Sequence, residues 1–206
     1  MPLRAVALNC SLKSSSTDDG QSSTEQLLTE LLDALATHGV QSDAIVRVAD
    51  LNLRPGVSSD EGDGDDWPDV RAKIVDAEIL VIGTPIWMGH PSSFAQRVLE
   101  RLDAMLAEYD ERGRLIAFDK VALVAVVGNE DGAHLVGSQL FQGLNDVGFT
   151  IPAAGMTYWV GEAMQRTDYV DLPSGSDKTN AATGMAARNA AHLAGLLAEG
   201  QYPAGD

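Results

Sequence analysis

Four stretches of this sequence are apolar without interruption, and they limit the fold more than any other feature. They are Ala5–Leu8, Ile79–Ile82, Val121–Val127 and a weaker run at Ala153–Tyr158. A half-buried strand alternates apolar and polar residues, whereas a strand covered on both faces reads as a continuous apolar run. A fifth run, Ala44–Val48, is broken by Arg47 and reads as an edge strand. Helical patterns lie between the runs. Leu27, Leu28, Leu31, Leu32 and Leu35 repeat at helical spacing, with a stop at His38-Gly39. Phe94, Val98, Leu102 and Met105 form a second apolar face, and Leu135–Val147 and Ala181–Ala198 supply two more. Strand and helix alternating in this way predict an α/β fold, a doubly wound parallel sheet with helices on both faces. The 206 residues suit a single domain over 1–206.

Charge and cysteine content narrow the function. The chain carries 30 acidic against 14 basic residues, a formal net charge of −16. Such a surface repels nucleic acid and anionic lipid, so neither is expected as a partner. No segment approaches the apolar length that spans a bilayer. The single cysteine, Cys10, excludes an internal disulfide and a CxxC motif, and the cytoplasm is the expected compartment. The acidic segment Ser58–Asp66 lacks the ligand order of an EF-hand and is expected to be a solvated loop.

In an open parallel sheet, ligands bind beyond the C-terminal ends of the strands, where strand order reverses. Three loops predicted at that edge are unusual. The first, Asn9-Cys10-Ser11-Leu12-Lys13 followed by Ser14–Gly20 and Gln21-Ser22-Ser23-Thr24, places hydroxyls at both ends and opens a helix. Amides at a helix start make a phosphate cradle, and Lys13 adds a positive charge. Ser22 or Ser23 also serves as N-cap, with Glu25 complementing the helix dipole. The second loop, Thr84-Pro85-Ile86-Trp87-Met88-Gly89-His90-Pro91-Ser92-Ser93, sets a large aromatic and a thioether where small polar residues would suffice for a turn. Those side chains fit the faces of a flat heterocycle, or equally a core or subunit contact. The third loop, Gly128-Asn129-Glu130-Asp131-Gly132-Ala133-His134, brackets polar residues between glycines just before a helix. Together the loops fit a phosphate at the first and a planar ring between the other two, as in a phosphorylated flavin. Zinc motifs, GxGxxG, GxxxxGK[ST] and GxSxG are absent from the sequence. Cys10 is a nucleophile candidate or a small buried residue. His38 and His192 fall on helices without motif context; His90 and His134 are better placed.

The second loop and the helical stretch after it resemble the flavodoxin-like, NAD(P)H-dependent FMN reductase family, which includes multimeric flavodoxin-like quinone reductases. Thr84–Ser93 with Glu100-Arg101-Leu102 is similar to the pattern TPxYxGxPSS…DRL, with Trp87 for tyrosine and Glu100 for aspartate. Ser11-Leu12-Lys13…Ser22-Ser23-Thr24 resembles the family's phosphate segment, and Gly128–Gly132 its flavin-edge loop. The likeness covers about the first three-quarters of the chain. It implies a five-stranded sheet of order 2-1-3-4-5, bound FMN, and a homodimer or homotetramer. It also implies hydride transfer from NADPH or NADH through FMN to a quinone, free flavin or similar acceptor, with no catalytic side chain required. By this resemblance Ser11, Lys13, Ser23 and Thr24 hold phosphate; Pro85, Ile86, Trp87, Met88 and Gly89 line the ring; Asn129, Glu130, Asp131 and Gly132 close its other side. Tyr158, Trp159, Met164 and Tyr169 are candidates for the wall over the ring. Two departures stand out: the first loop is long and serine-rich, and Gln96 occupies a position where relatives carry lysine. A flavin-binding carrier or interaction protein is the alternative, and a flavin-free phosphate-binding domain a third reading.

Overall fold

A computed structural model describes residues 2–16, 21–163, 165–173 and 175–204. The strands are β1 (Arg4–Asn9), β2 (Gln41–Ser42), β3 (Val46–Arg47), β4 (Ile79–Trp87), β5 (His90–Pro91), β6 (Val121–Gly128) and β7 (Met156–Val160). The α-helices are α1 (Ser23–Ala36), α2 (Trp67–Asp76), α3 (Ser93–Leu102), α4 (Ala133–Val147) and α5 (Asp177–Glu199). The parallel strands run in the order β2-β1-β4-β6-β7, with β3 also pairing β1 and β5 folding back antiparallel on β4. Counting β2 and β3 as the two pieces of one edge strand, this is the expected order 2-1-3-4-5.

Each continuous apolar run supplies both faces of the sheet. Val6, Leu8, Leu80, Ile82, Val124 and Val126 pack toward α2, α3 and α4. Their neighbours Ala5, Ala7, Ile79, Val81, Leu123 and Ala125 pack toward α1 and α5. On the second face the leucines of α1 meet a row of buried alanines, Ala186, Ala187, Ala190 and Ala194, which lets α5 lie close.

Three expectations are corrected. The edge strand at Ala44–Val48 is instead two short pieces flanking residues 43–45. The last strand starts at Met156 rather than Ala153, because the chain turns at Ala153-Ala154, with Ala154 in the left-handed region at φ 55°. The acidic loop is not wholly solvated. The Asp65 carboxylate is completely buried and pairs with the equally buried Arg101 guanidinium at 2.6 Å. Arg101 also donates to the carbonyls of Arg54 (2.8 Å) and Ser58 (3.2 Å), and its guanidinium lies 5.6 Å from the Trp67 ring centroid.

Candidate active site

The sheet's order reverses between β1 and β4, and a cavity of about 520 Å³ opens at their C-terminal ends. That volume is typical of a small-molecule site. Its floor comes from three post-strand loops. Ser11, Leu12, Lys13, Ser22, Ser23 and Thr24 line one end, Pro85–Met88 one side, and Val127–Glu130 the other. Trp159, Ala163, Gln165, Asp168 and Tyr169 add a further wall.

The first end gathers hydroxyls and the amides of a helix start. Ser22 caps α1 by accepting from the Glu25 amide at 3.3 Å, which leaves Ser23 and Thr24 as the first two helical residues, whose amides have no intrahelical acceptor. The preceding loop is ordered by its own side chains: the Ser11 amide donates to Asn9 Oδ1 and the Lys13 amide to Ser11 Oγ, both at 3.0 Å. Lys13 Nζ donates to the Gln21 carbonyl at 3.2 Å, bridging the two ends of the loop. Glu25 would oppose an anion here, but its carboxylate pairs with Arg47 and accepts from Asn9 Nδ2 at 3.0 Å. Residues 17–20, part of the serine-rich loop, lie outside the described residues.

The second loop is a hairpin held at its base. Thr84 and Ser92 are buried, and the Ser92 amide donates to Thr84 Oγ1 at 3.0 Å. Ser92 Oγ donates to the Cys10 carbonyl at 2.6 Å and caps α3 by accepting from the Ala95 amide at 3.1 Å. One hydroxyl thus joins the first loop, the second loop and a helix start. At the tip, Trp87 pairs with His90 across a two-residue turn in which Met88 (φ 53°) and Gly89 (φ 75°) are both left-handed. This is the turn whose twist matches a hairpin. Met88 is 86% exposed and Trp87 54%, so both reach the mouth of the cavity rather than the core.

The remaining wall is strapped across the cavity. The Asn129 amide donates to the Asp168 carboxylate at 2.9 Å, the Tyr169 hydroxyl to Glu30 at 2.5 Å, and the Val170 amide to Ser23 Oγ at 3.3 Å. Tyr169 stacks at a tilt on Trp159, with centroids 5.4 Å apart. Burial first, then the Glu30 carboxylate, raises the Tyr169 phenol well above its usual range, so it stays a hydrogen-bond donor.

Most residues singled out in the sequence converge on this cavity; Gly89, Asp131, Gly132 and His134 do not line it. Gly132 backs directly on the hairpin tip, where an added Cβ would lie 2.9 Å from Gly89 Cα. His134 instead pairs edge-on with Tyr158, Nε2 to hydroxyl 3.3 Å, so Tyr158 is not part of the wall, while Trp159 and Tyr169 are. Met164 lies outside the described residues. Cys10 is fully buried and burial pushes its thiol far up, which removes it as a nucleophile. Sequence reasoning passed over Leu12, Val127, Ala163, Gln165 and Asp168. Among these only the Asp168…Asp171 spacing, which orders a short 3-10 turn through the Asp168 amide and Asp171 carboxylate (3.0 Å), left a readable signal.

Residues 3–165 match the NADPH-dependent FMN reductase family. The chain belongs to that family. With the family come the flavodoxin-like fold, oxidoreductase chemistry, FMN and a nicotinamide reductant. The chain is 30% identical over 212 residues to the 8-demethyl-8-aminoriboflavin-5'-phosphate synthase of Streptomyces davaonensis, covering 98% of this chain and 81% of that protein. It is 34% identical over 202 residues to the divalent metal cation transporter MntH of Mycobacterium bovis, covering 95% of this chain but only 29% of that one. Among structures, RosB with bound 8-demethyl-8-formylriboflavin-5'-phosphate superposes with a TM-score of 0.84 at 29% identity, covering 97% of this chain and 82% of RosB. No helix among the described residues is long and apolar enough to cross a membrane.

The cavity fits FMN on its own terms. It offers helix-start amides and hydroxyls for a phosphate at one end. A slot bounded by Pro85, Ile86 and Trp87 on one side and Val127–Asn129 on the other suits a flat ring.

Proposed function

We propose that this protein is an FMN-dependent oxidoreductase that draws hydride from NAD(P)H and passes electrons to a quinone, a free flavin or a similar flat acceptor. The observation that carries this reading is one cavity that joins a phosphate cradle at α1 to an apolar slot between β4 and β6. Bound FMN supplies the redox chemistry. The chain's own residues bind and orient. Ser11, Lys13, Ser22, Ser23 and Thr24 hold the phosphate, and Pro85, Ile86, Trp87 and Met88 cover one side of the ring. Gly128, Asn129 and Glu130 meet its other side. Gly89 and Gly132 act behind this layer, where the third loop backs on the hairpin tip.

The test is the visible spectrum of purified protein after adding FMN and removing the excess, followed by NADH or NADPH without oxygen. A retained flavin band that bleaches supports the reductase. A retained band that persists with either nicotinamide favours a flavin carrier, and loss of the band in gel filtration removes the flavin reading altogether.

A second reading, in which a riboflavin phosphate is substrate rather than cofactor, is favoured by the extent of the likeness to RosB and to the S. davaonensis synthase. Mass spectrometry of the flavin recovered after aerobic incubation separates the two. An unchanged mass supports the reductase, and a changed ring supports flavin conversion.

A further inference from the structure

The segment between β7 and α5 crosses the cavity on few contacts. Among the described residues from 161 to 178, Tyr169 is the one that is buried, while residues 162, 163 and 165–167 are exposed. Gln165, Asp168 and Tyr169 nonetheless line the cavity. Three polar anchors hold this strap. Asp168 accepts from Asn129 in the third loop, Tyr169 donates to Glu30 within α1, and the Val170 amide donates to Ser23 Oγ at the start of α1. The ends of the strap pass directly against its anchors. A Cβ at Gly161 would lie 2.7 Å from Asn129 Oδ1, and one at Gly175 2.5 Å from the Tyr169 hydroxyl. The closed arrangement also carries a cost. Asn129 Oδ1 is buried with no hydrogen-bond partner among the described residues, and opening the strap would relieve that penalty. A segment pinned by one buried side chain and a few polar contacts belongs to the low-stability end of a structure, from which lids are drawn.

Ser23 connects the strap to the ligand end of the cavity, which it also lines. A serine hydroxyl accepts through its lone pairs and donates through its single O–H. While its oxygen receives the Val170 amide, the Ser23 hydroxyl keeps its proton for an anion at the same end. A phosphate accepting that proton polarises the hydroxyl and strengthens the bond from Val170. We propose that the strap is a latch that flavin passes on entering and leaving, and that it closes more firmly on a phosphorylated flavin than on riboflavin because Ser23 carries both bonds. This inference rests on the flavin reading above.

The experiment uses the full chain and reads flavin exchange and strap opening separately. Stopped-flow fluorescence gives the rates of FMN uptake and release for the parent and for Tyr169→Phe, which loses the bond to Glu30 and keeps the ring beside Trp159. Both rates should rise about tenfold with Kd nearly unchanged, because a hydrogen bond to a carboxylate is lost from a gate crossed in both directions. A side chain that merely touched the flavin would alter release alone. Hydrogen–deuterium exchange of residues 165–173 should be slowed roughly threefold or more by FMN relative to riboflavin at equal occupancy. Ser23→Ala saturated with FMN should lose that excess. Unaltered rates in Tyr169→Phe, or a change in release alone, overturn the latch. Equal slowing by FMN and riboflavin, or an excess that survives in Ser23→Ala, overturns its link to the phosphate. FMN that is not retained at all sinks the flavin reading, and inorganic phosphate against sodium chloride of equal ionic strength then tests the latch by itself. Slower exchange of residues 165–173 in phosphate leaves it standing, and unchanged exchange overturns it.

Discussion

Met88 sits in a backbone conformation that glycine and asparagine adopt readily and methionine rarely. Its φ of 53° places a long side chain in the left-handed region, at a cost of about 1–2 kcal/mol. That side chain is 86% exposed, so no core packing offsets the strain. Strain kept without a packing return points to a role in what the mouth of the cavity contacts. Met88→Asn restores the residue preferred in a two-residue hairpin turn, Asn-Gly. Thermal unfolding should show the variant more stable by about 1 kcal/mol, while fluorescence titration shows weaker FMN binding. A variant that gains stability and keeps its flavin affinity would reduce Met88 to a tolerated misfit. The sequence exposed this residue's oddity but not its form. Side-chain chemistry flagged a ligand-facing loop, whereas the hairpin depends on β5, only two residues long and recognisable from its pairing rather than from any pattern.

At the scale of elements, the Arg101–Asp65 pair joins α3 to the loop ahead of α2. Burial opposes the Asp65 charge, but the hydrogen bond from Arg101 and the amides of Glu61, Arg54 and Trp67 prevail and hold its pKa down to about 2, from 3.8. A folded-state pKa below the unfolded one contributes stability that is full above the unfolded value and is lost as pH falls through the folded one. Denaturant unfolding should therefore show stability falling as pH drops from about 4 toward 2. Asp65→Asn should flatten that slope and, by leaving a buried guanidinium without its counter-charge, cost roughly 3–5 kcal/mol at neutral pH. An unchanged acid limb would place the sensitivity elsewhere. The same region shows why one helix escaped sequence reading. α2 presents only Trp67, Val70 and Ile74 to the core, three residues in ten, and follows directly on an acidic run. Its Pro68 is a helix-start signal, yet a stripe that narrow does not separate from a charged loop. The four other helices each carried a full apolar face and were legible.

The whole molecule carries a large acidic surplus: five arginines, Arg4, Arg47, Arg71, Arg101 and Arg114, are engaged by carboxylates, and the 30 acidic residues far outnumber the 14 basic ones, so surplus carboxylates are left to repel one another. That repulsion destabilises the compact state and is screened by salt. Between roughly 0.01 M and 0.15 M ionic strength the Debye length falls from about 30 Å to about 8 Å, from the width of a small domain to that of a side-chain contact. The unfolding midpoint should therefore rise with sodium chloride over this range, and differential scanning calorimetry would record it. If the paired arginines governed stability instead, screening would weaken them and the midpoint would fall. The buried Arg101–Asp65 pair should be little affected, so the salt response of Asp65→Asn should parallel that of the parent protein. Charge of this kind is fully legible in composition, while its consequence is not. Which arginines are spent, and that Asp168 faces a cavity through Asn129, depend on contacts between segments 39 residues apart that no local pattern encodes. The same surplus that shifts the midpoint also acts on any anionic substrate approaching the cavity, so added salt should both raise the midpoint and ease that approach.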